Sequence, residues 1–260
     1  MPVEFLTDEQ VAVYGRYVQP PARAQLERYF FLDDVDRGLV ERRRGDHNRL
    51  AFAVQLGTVR FLGTFLSDPL DVPREVVAYA SEQLGIADPS CFTRYRERRQ
   101  TQDEHAIEIR REYGYRDYAA AAAELHEFLT ARAWTSNESA RMLFDRATAW
   151  LVDRRILLPG PTTLARLVAG IRSEASDRLW RSIAVGIPSD LADRLWKLLE
   201  VQAASRFSAL ERLRTAPARV SGPEMVRALE RAAEVAGVGA GTVDVSGVPA
   251  TRLRRWPDTA

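Results

Sequence analysis

Apolar residues recur at three- and four-residue spacing through almost the whole chain, while alternating runs of β-branched residues are missing except weakly around Thr242 to Val245. A sheet has little to be built from, so the expected fold is all-α. The chain has 260 residues, 46% of them apolar, enough for one to two globular cores.

Punctuation along the chain sets the expected helices. Thr7 and Gln10 form a capping box for a first helix, which Pro20 and Pro21 stop. A second spans about 22–32, and Asp33 or Asp34 caps a third that runs into Arg42, Arg43 and Arg44 before Gly45. The fourth, from near Asp46 to Leu66, carries Leu50, Phe52, Val54, Leu56, Val59, Phe61, Leu62 and Phe65 around most of its axis, which predicts a helix buried by neighbours on several sides. Gln55 and Arg60 within it make a poor membrane span. Next, Val76, Val77, Ala80 and Leu84 form a stripe that Gly85 ends, and Asp88 caps a second helix through Gln100, with Pro89 at its first position. Helix, short glycine-containing turn and helix is helix-turn-helix grammar. Helices are also expected at about 102–113 and 117–133. The polar break from Trp134 to Ser139, with a fresh cap at Ser136 or Asn137, sets the expected boundary between domains 1–134 and 135–260. The second domain repeats the pattern with helices at about 162–173, 177–185, 189–201 and 222–236, then a glycine-rich tail.

With 37 basic residues against 36 acidic ones, the net charge of +1 means that an anionic partner must be met by local patches. All basic residues except Lys197 are arginine, whose planar fork suits phosphates and guanine edges. Three such patches stand out. On a wheel of about 100° per residue, Cys91, Phe92 and Tyr95 point inward, leaving Ser90, Thr93, Arg94 and Gln100 outward with Arg96 and Arg98 on the flanks. These are the residue types that read base edges and hold phosphates. Arg42, Arg43 and Arg44 cannot all face a core, and His47, Asn48 and Arg49 follow at a helix N-terminus, whose free N–H groups favour anions. Arg110 and Arg111 form the third patch, for which helix surface and aromatic packing explain the residues as well.

Other chemistry finds little footing. Asp33, Asp34 and Asp36 are the densest carboxylates, but their place before a helix reads as capping. His47, His105 and His126 are widely separated, and Cys91 is alone, so neither a Cys-based zinc site nor an internal disulfide is expected. Gly237, Gly239 and Gly241 follow a helix instead of a strand, which fails the context of a dinucleotide loop. No cofactor or metal is expected. MPVEFLTDEQ has no basic flank and apolar core of a signal peptide, and the single cysteine suits a reducing, cytoplasmic setting.

The segments FLTDEQVAVYGRY, RGDHNRLAFAVQLGTVRFLG (Arg44 to Gly63), DPSCFTRYRERRQTQDEHAIEIRREYGYRDY, LLPGPTTLARLVA and RVSGPEMVRALERAAEV resemble the N-terminal region of Tn3-family transposases. The resemblance covers almost the whole chain, and Arg44 to Gly63 is its most specific stretch. It implies binding of transposon terminal inverted repeats, as double-stranded DNA, by successive helical domains with helix-turn-helix-like units, with the protein associated with the nucleoid. It also implies that the RNase H-like centre and its three metal-binding carboxylates lie downstream, so this chain is expected to lack catalysis, and that self-association belongs to the full-length transposase. The rival reading is a helical interaction or dimerisation module, or a truncated regulator competing for the ends. On the DNA reading, Arg42 to Arg49 and the arginines after Thr93 neutralise phosphates, Thr93, Arg94 and Gln100 enter the major groove, and Thr162, Thr163 and Arg166 at a helix start engage the adjacent stretch.

Overall fold

In the computed structural model, residues 5–97, 99–201, 206–214 and 221–253 are described. The helices are α1 (Asp8–Val13), α2 (Arg23–Tyr29), α3 (Asp34–Glu41), α4 (Asp46–Leu62), α5 (Arg74–Leu84), α6 (Arg99–Tyr113), α7 (Tyr118–Thr135), α8 (Ala140–Asp153), α9 (Pro161–Val185), α10 (Ser189–Leu199), α11 (Ala209–Arg214), α12 (Gly222–Val238) and α13 (Ala250–Leu253). Two 3₁₀ segments, Pro89–Glu97 and Ala240–Thr242, complete the regular structure. Among the described residues there are no strands, and the fold is all-α.

Contacts divide the chain into two compact units, residues 1–133 with 138–172 and residues 134–137 with 173–260. A single break after residue 134 does not describe this pattern, because α8 and the first half of α9 pack with the N-terminal helices.

The N-terminal unit is built around α4. Every residue from Leu50 to Val59 is buried, including Gln55, Gly57 and Thr58, as an all-round apolar helix requires. Gly57 permits a close crossing, since a Cβ there would overlap the ring of Phe30 at the end of α2. α4 ends at Leu62 and not at Leu66, because Gly63 takes the left-handed conformation (φ 73°) and its N–H closes on Val59 O. The segment after α8 docks there: Leu158 N donates to Gly63 O at 3.0 Å, and Leu157 N donates to Arg116 O at 2.9 Å.

The carboxylate trio is structural. Asp33 caps α3 through Asp36 N at 2.8 Å, and Asp36, 1% exposed, accepts both arms of Arg60 at 2.8 Å and the Tyr113 hydroxyl. Burial pushes the Asp36 carboxyl up, but Arg60 and Tyr113 outweigh it and hold the pKa below the usual carboxylate range.

Further boundaries differ from the sequence expectation. α1 ends at Val13 and not at Pro20, because Tyr14 is extended and Gly15 takes the left-handed conformation (φ 67°). Ser139, through Met142 N, caps α8 in place of Ser136 or Asn137, because α7 runs on to Thr135. α9 is one 25-residue helix, since nothing between Ser173 and Asp177 breaks a helix. The segment after Gly85 is 3₁₀ and stops at Glu97, so α6 starts at Arg99 and takes Gln100 with it. Expecting one α-helix through 88–100 failed there because Phe92 and Tyr95, three apart, give an inward face in either helix type and do not select between them.

In the C-terminal unit, Ala175, Ile183, Leu191 and Val248 are buried, Arg178 lies over the Trp134 ring at 4.0 Å, and Asp244 N donates to Gly186 O at 3.1 Å. α12 buries none of its residues, and Trp196, Leu199, Met225 and Leu229 are exposed.

Candidate nucleic-acid interface

The turn between α3 and α4 and the 3₁₀ segment come together against the N-terminal half of α4. Their proximity is visible at Cys91, whose thiol pKa is raised first by burial and then by the carboxylates of Asp46 and Asp88. Arg42, the C-cap of α3, and Arg44 are exposed and, among the described residues, have no carboxylate partner. Asn48 Nδ2 donates to Arg44 O at 3.0 Å, which fixes the turn, and half-buried Arg49 pairs with Asp46 at 3.2 Å. His47 is half-buried beside them. The arrangement offers two free guanidinium groups next to the first N–H groups of a 17-residue helix, a setting that favours phosphate.

Arg43 behaves differently and leaves the candidate interface. Its side chain is 17% exposed, its guanidinium lies over the Phe52 ring at 4.5 Å, and Glu108 of α6 pairs with its Nη2. That ion pair lacks hydrogen-bond geometry, and Arg43 Nε has no acceptor. The run of three arginines expected to neutralise phosphates thus alternates out, in, out, because its middle member finds both a ring and a carboxylate.

On the 3₁₀ segment, Ser90, Thr93, Arg94 and Arg96 are exposed while Phe92 and Tyr95 anchor it. Thr93 Oγ1 donates to Ser90 O at 2.9 Å, Ser90 N donates to Asp88 Oδ1 at 3.0 Å, and Arg96 is paired with Asp68. Arg94 has no carboxylate partner among the described residues. Arg98 lies outside the described residues. Gln100 is in the first turn of α6, where its Nε2 donates to Glu104 Oε1 at 2.9 Å, so it shares no helical face with Thr93.

The other candidates lie elsewhere in the unit. Arg110 pairs with Asp117, and Arg111 with Glu112 at 2.7 Å, so neither presents a bare charge. Thr162, Thr163 and Arg166 are exposed on the first turns of α9, Arg166 without a carboxylate partner among the described residues. A cavity of about 220 Å³ adjoins Pro161 there, lined also by Arg16, Thr64 and Ser67. Sequence reading missed Arg16, an exposed arginine in a short connection 145 positions before Pro161, with no local pattern to mark it.

Behind the first surface is a buried polar chain. Gln55 Nε2 donates to Tyr95 Oη at 2.9 Å, which leaves the phenol proton for His105 Nδ1, also at 2.9 Å. The Phe52 ring meets His105 edge-on at 5.2 Å, and Tyr95 stacks on it at 5.4 Å. Burial, aided by the Arg43 charge, lowers the His105 pKa to about 4, so the ring is neutral and can accept that proton. Among the described residues no group of three or more His, Cys, Asp or Glu side chains could hold a metal ion, and no helix is long and apolar enough to cross a membrane.

Residues 5–171 match the family described as "Domain of unknown function (DUF4158)". The chain is 43% identical over 256 residues to the transposase for transposon gamma-delta of Escherichia coli (strain K12), covering 98% of this chain and 26% of that protein. It is 30% identical over 217 residues to the transposase for transposon Tn501 of Pseudomonas aeruginosa, covering 82% of this chain and 21% of the relative. With the transposase for transposon Tn1546 of Enterococcus faecium, identity is 28% over 257 residues, 96% of this chain and 25% of the relative. The chain thus spans about a quarter of the length of these curated relatives.

Proposed function

We propose that this chain, which belongs to the DUF4158 family and is homologous to Tn3-family transposases, binds the terminal inverted repeats of a transposon as double-stranded DNA and serves as the end-recognition part of the transposase. The observation that carries the reading is that Arg42 and Arg44, exposed and free of carboxylates among the described residues, precede the N-terminus of α4, while Thr93 and Arg94 are exposed on the 3₁₀ segment that packs on the same helix. Arg42 and Arg44 hold phosphates and set register, while Arg94 and Thr93 reach base edges. Thr162, Thr163 and Arg166, joined by Arg16, take the backbone of an adjacent stretch. Two weak contacts on one duplex reinforce each other through effective concentration. Strand cutting is assigned to the part of the relatives that this chain does not match, and the protein acts at the nucleoid.

The test is a salt titration of binding to a duplex carrying the end repeat of the associated transposon, beside a scrambled duplex of equal length. A ratio favouring the repeat that survives at physiological salt supports end recognition. Equal and steeply salt-dependent binding refutes it. One observation favours a second reading for the C-terminal unit: the exposed Trp196, Leu199, Met225 and Leu229 suit a protein-interaction module, in which case removing arginines leaves partner binding intact.

A further inference from the structure

We infer that Tyr95 is a positioning residue, the central post that holds the 3₁₀ segment Pro89–Glu97 in register with the arginine turn, so that it governs discrimination between DNA sequences without itself touching DNA. The inference rests on the DNA-binding reading for its consequence and on the protein alone for its mechanism.

A 3₁₀ helix has poorer hydrogen-bond geometry than an α-helix, and nine residues is long for one, so side-chain anchors decide its position. Tyr95 is tied at three points. Its hydroxyl accepts from Gln55 of α4 and donates to His105 of α6, its ring stacks on His105, and its carbonyl accepts from Gln102 Nε2 at 2.9 Å. The same histidine meets the Phe52 ring, on whose other contact Arg43 rests at 4.5 Å. Arg43 lies between Arg42 and Arg44, so one continuous set of contacts runs from the displayed arginines of the turn to the displayed Thr93 and Arg94. Both groups reach a duplex in a fixed spacing only while that set is intact. Base readout depends on placement within fractions of an ångström, whereas phosphate attraction does not.

The test is Tyr95→Phe, which keeps the ring and the fold's volume but strands Gln55 Nε2 and His105 Nδ1. The lone thiol, Cys91, sits in the segment itself and reports its opening by labelling under native conditions. The expected result is labelling faster than wild type by about tenfold, together with a similar fall in the ratio of repeat to scrambled binding and an unchanged salt slope on the scrambled duplex. His105→Gln in a chain that keeps Tyr95, where the amide oxygen can still take the phenol proton, is expected to change both by less than Tyr95→Phe does. Unchanged labelling overturns the positioning role, whether or not wild type discriminates between duplexes. Faster labelling with an unchanged ratio overturns the link to discrimination. A wild-type chain that binds both duplexes equally sinks the end-recognition reading instead, and the labelling result still decides whether Tyr95 holds the segment.

Discussion

Lowering the pH from 7.5 to 5.0 should weaken the N-terminal unit through one residue, His105. The ring is 3% exposed and burial depresses its pKa from 6.5 to about 4. A depressed histidine favours the neutral form in the folded state, so between those two values the unfolded chain binds more protons, and stability rises with pH. The contribution is complete above about pH 6.5 and is lost as the pH falls towards 4. At about 1.36 kcal/mol per pH unit, the loss reaches about 2 kcal/mol at pH 5 and about 3 kcal/mol at pH 4. The structural cause is that a charged imidazolium would need to donate from Nδ1, where it now accepts from Tyr95, beside the Arg43 guanidinium. Urea denaturation followed by far-UV circular dichroism at both pH values, on wild type and His105→Gln, isolates the effect. Carboxylates titrate alike in both proteins, so the difference between their pH responses belongs to the histidine. Parallel losses in the two proteins would refute the reasoning, and so would a wild type that is as stable at pH 5.0 as at 7.5.

Further outcomes are expected from five single substitutions. Arg94→Ala should lower the affinity for the end repeat by about 1–3 kcal/mol while sparing the scrambled duplex, if its fork reads a base edge; equal losses would make it a phosphate contact. Arg44→Ala should flatten the slope of log K against log salt by about one unit on both duplexes, whereas Arg43→Ala should leave that slope unchanged and lower the melting temperature. Gly57→Ala, which drives a methyl group into the Phe30 ring, should cost about 1–3 kcal/mol in a urea titration. Asp36→Asn, which leaves the Arg60 charge without its partner, should cost about 3 kcal/mol by the same assay, and a loss within error of zero would contradict the buried pair.

Much of the N-terminal half was legible because its signals are local. The all-round apolar pattern of α4, the Thr7 capping box, the acidic cap of α3 and the glycine stop at 85 each depend on residues within a turn or two, whereas the stop at Gly63 is masked because apolar residues continue to Leu66. The candidate surface was legible only in outline. Arginines advertise charge, but which ones stay free is decided by partners remote in sequence: Glu108 for Arg43 and Asp68 for Arg96. Helix type was lost at 89–97 for a related reason. Phe92 and Tyr95 fit an α-helical or a 3₁₀ inward face equally well, and the choice falls to Gln55, His105 and Gln102 on other elements. Arg16 gave no signal, since only the return of the chain at 158–161 brings a helix start beside it.

That return has a consequence for dissecting the protein. The backbone bonds from Leu157 to Arg116 and from Leu158 to Gly63 close the first unit with residues that a cut after position 134 would discard, along with the buried Leu143, Phe144, Leu151 and Leu164. Such a fragment would present raw apolar surface and aggregate, while one reaching residue 172 keeps its lid. The family match ends at residue 171, one position from that edge, so the matched domain and the first compact unit have nearly the same limit. A chimaera exchanging end preference between two relatives would be joined within α9, after residue 172, and a junction at the polar break would splice through the middle of a single core.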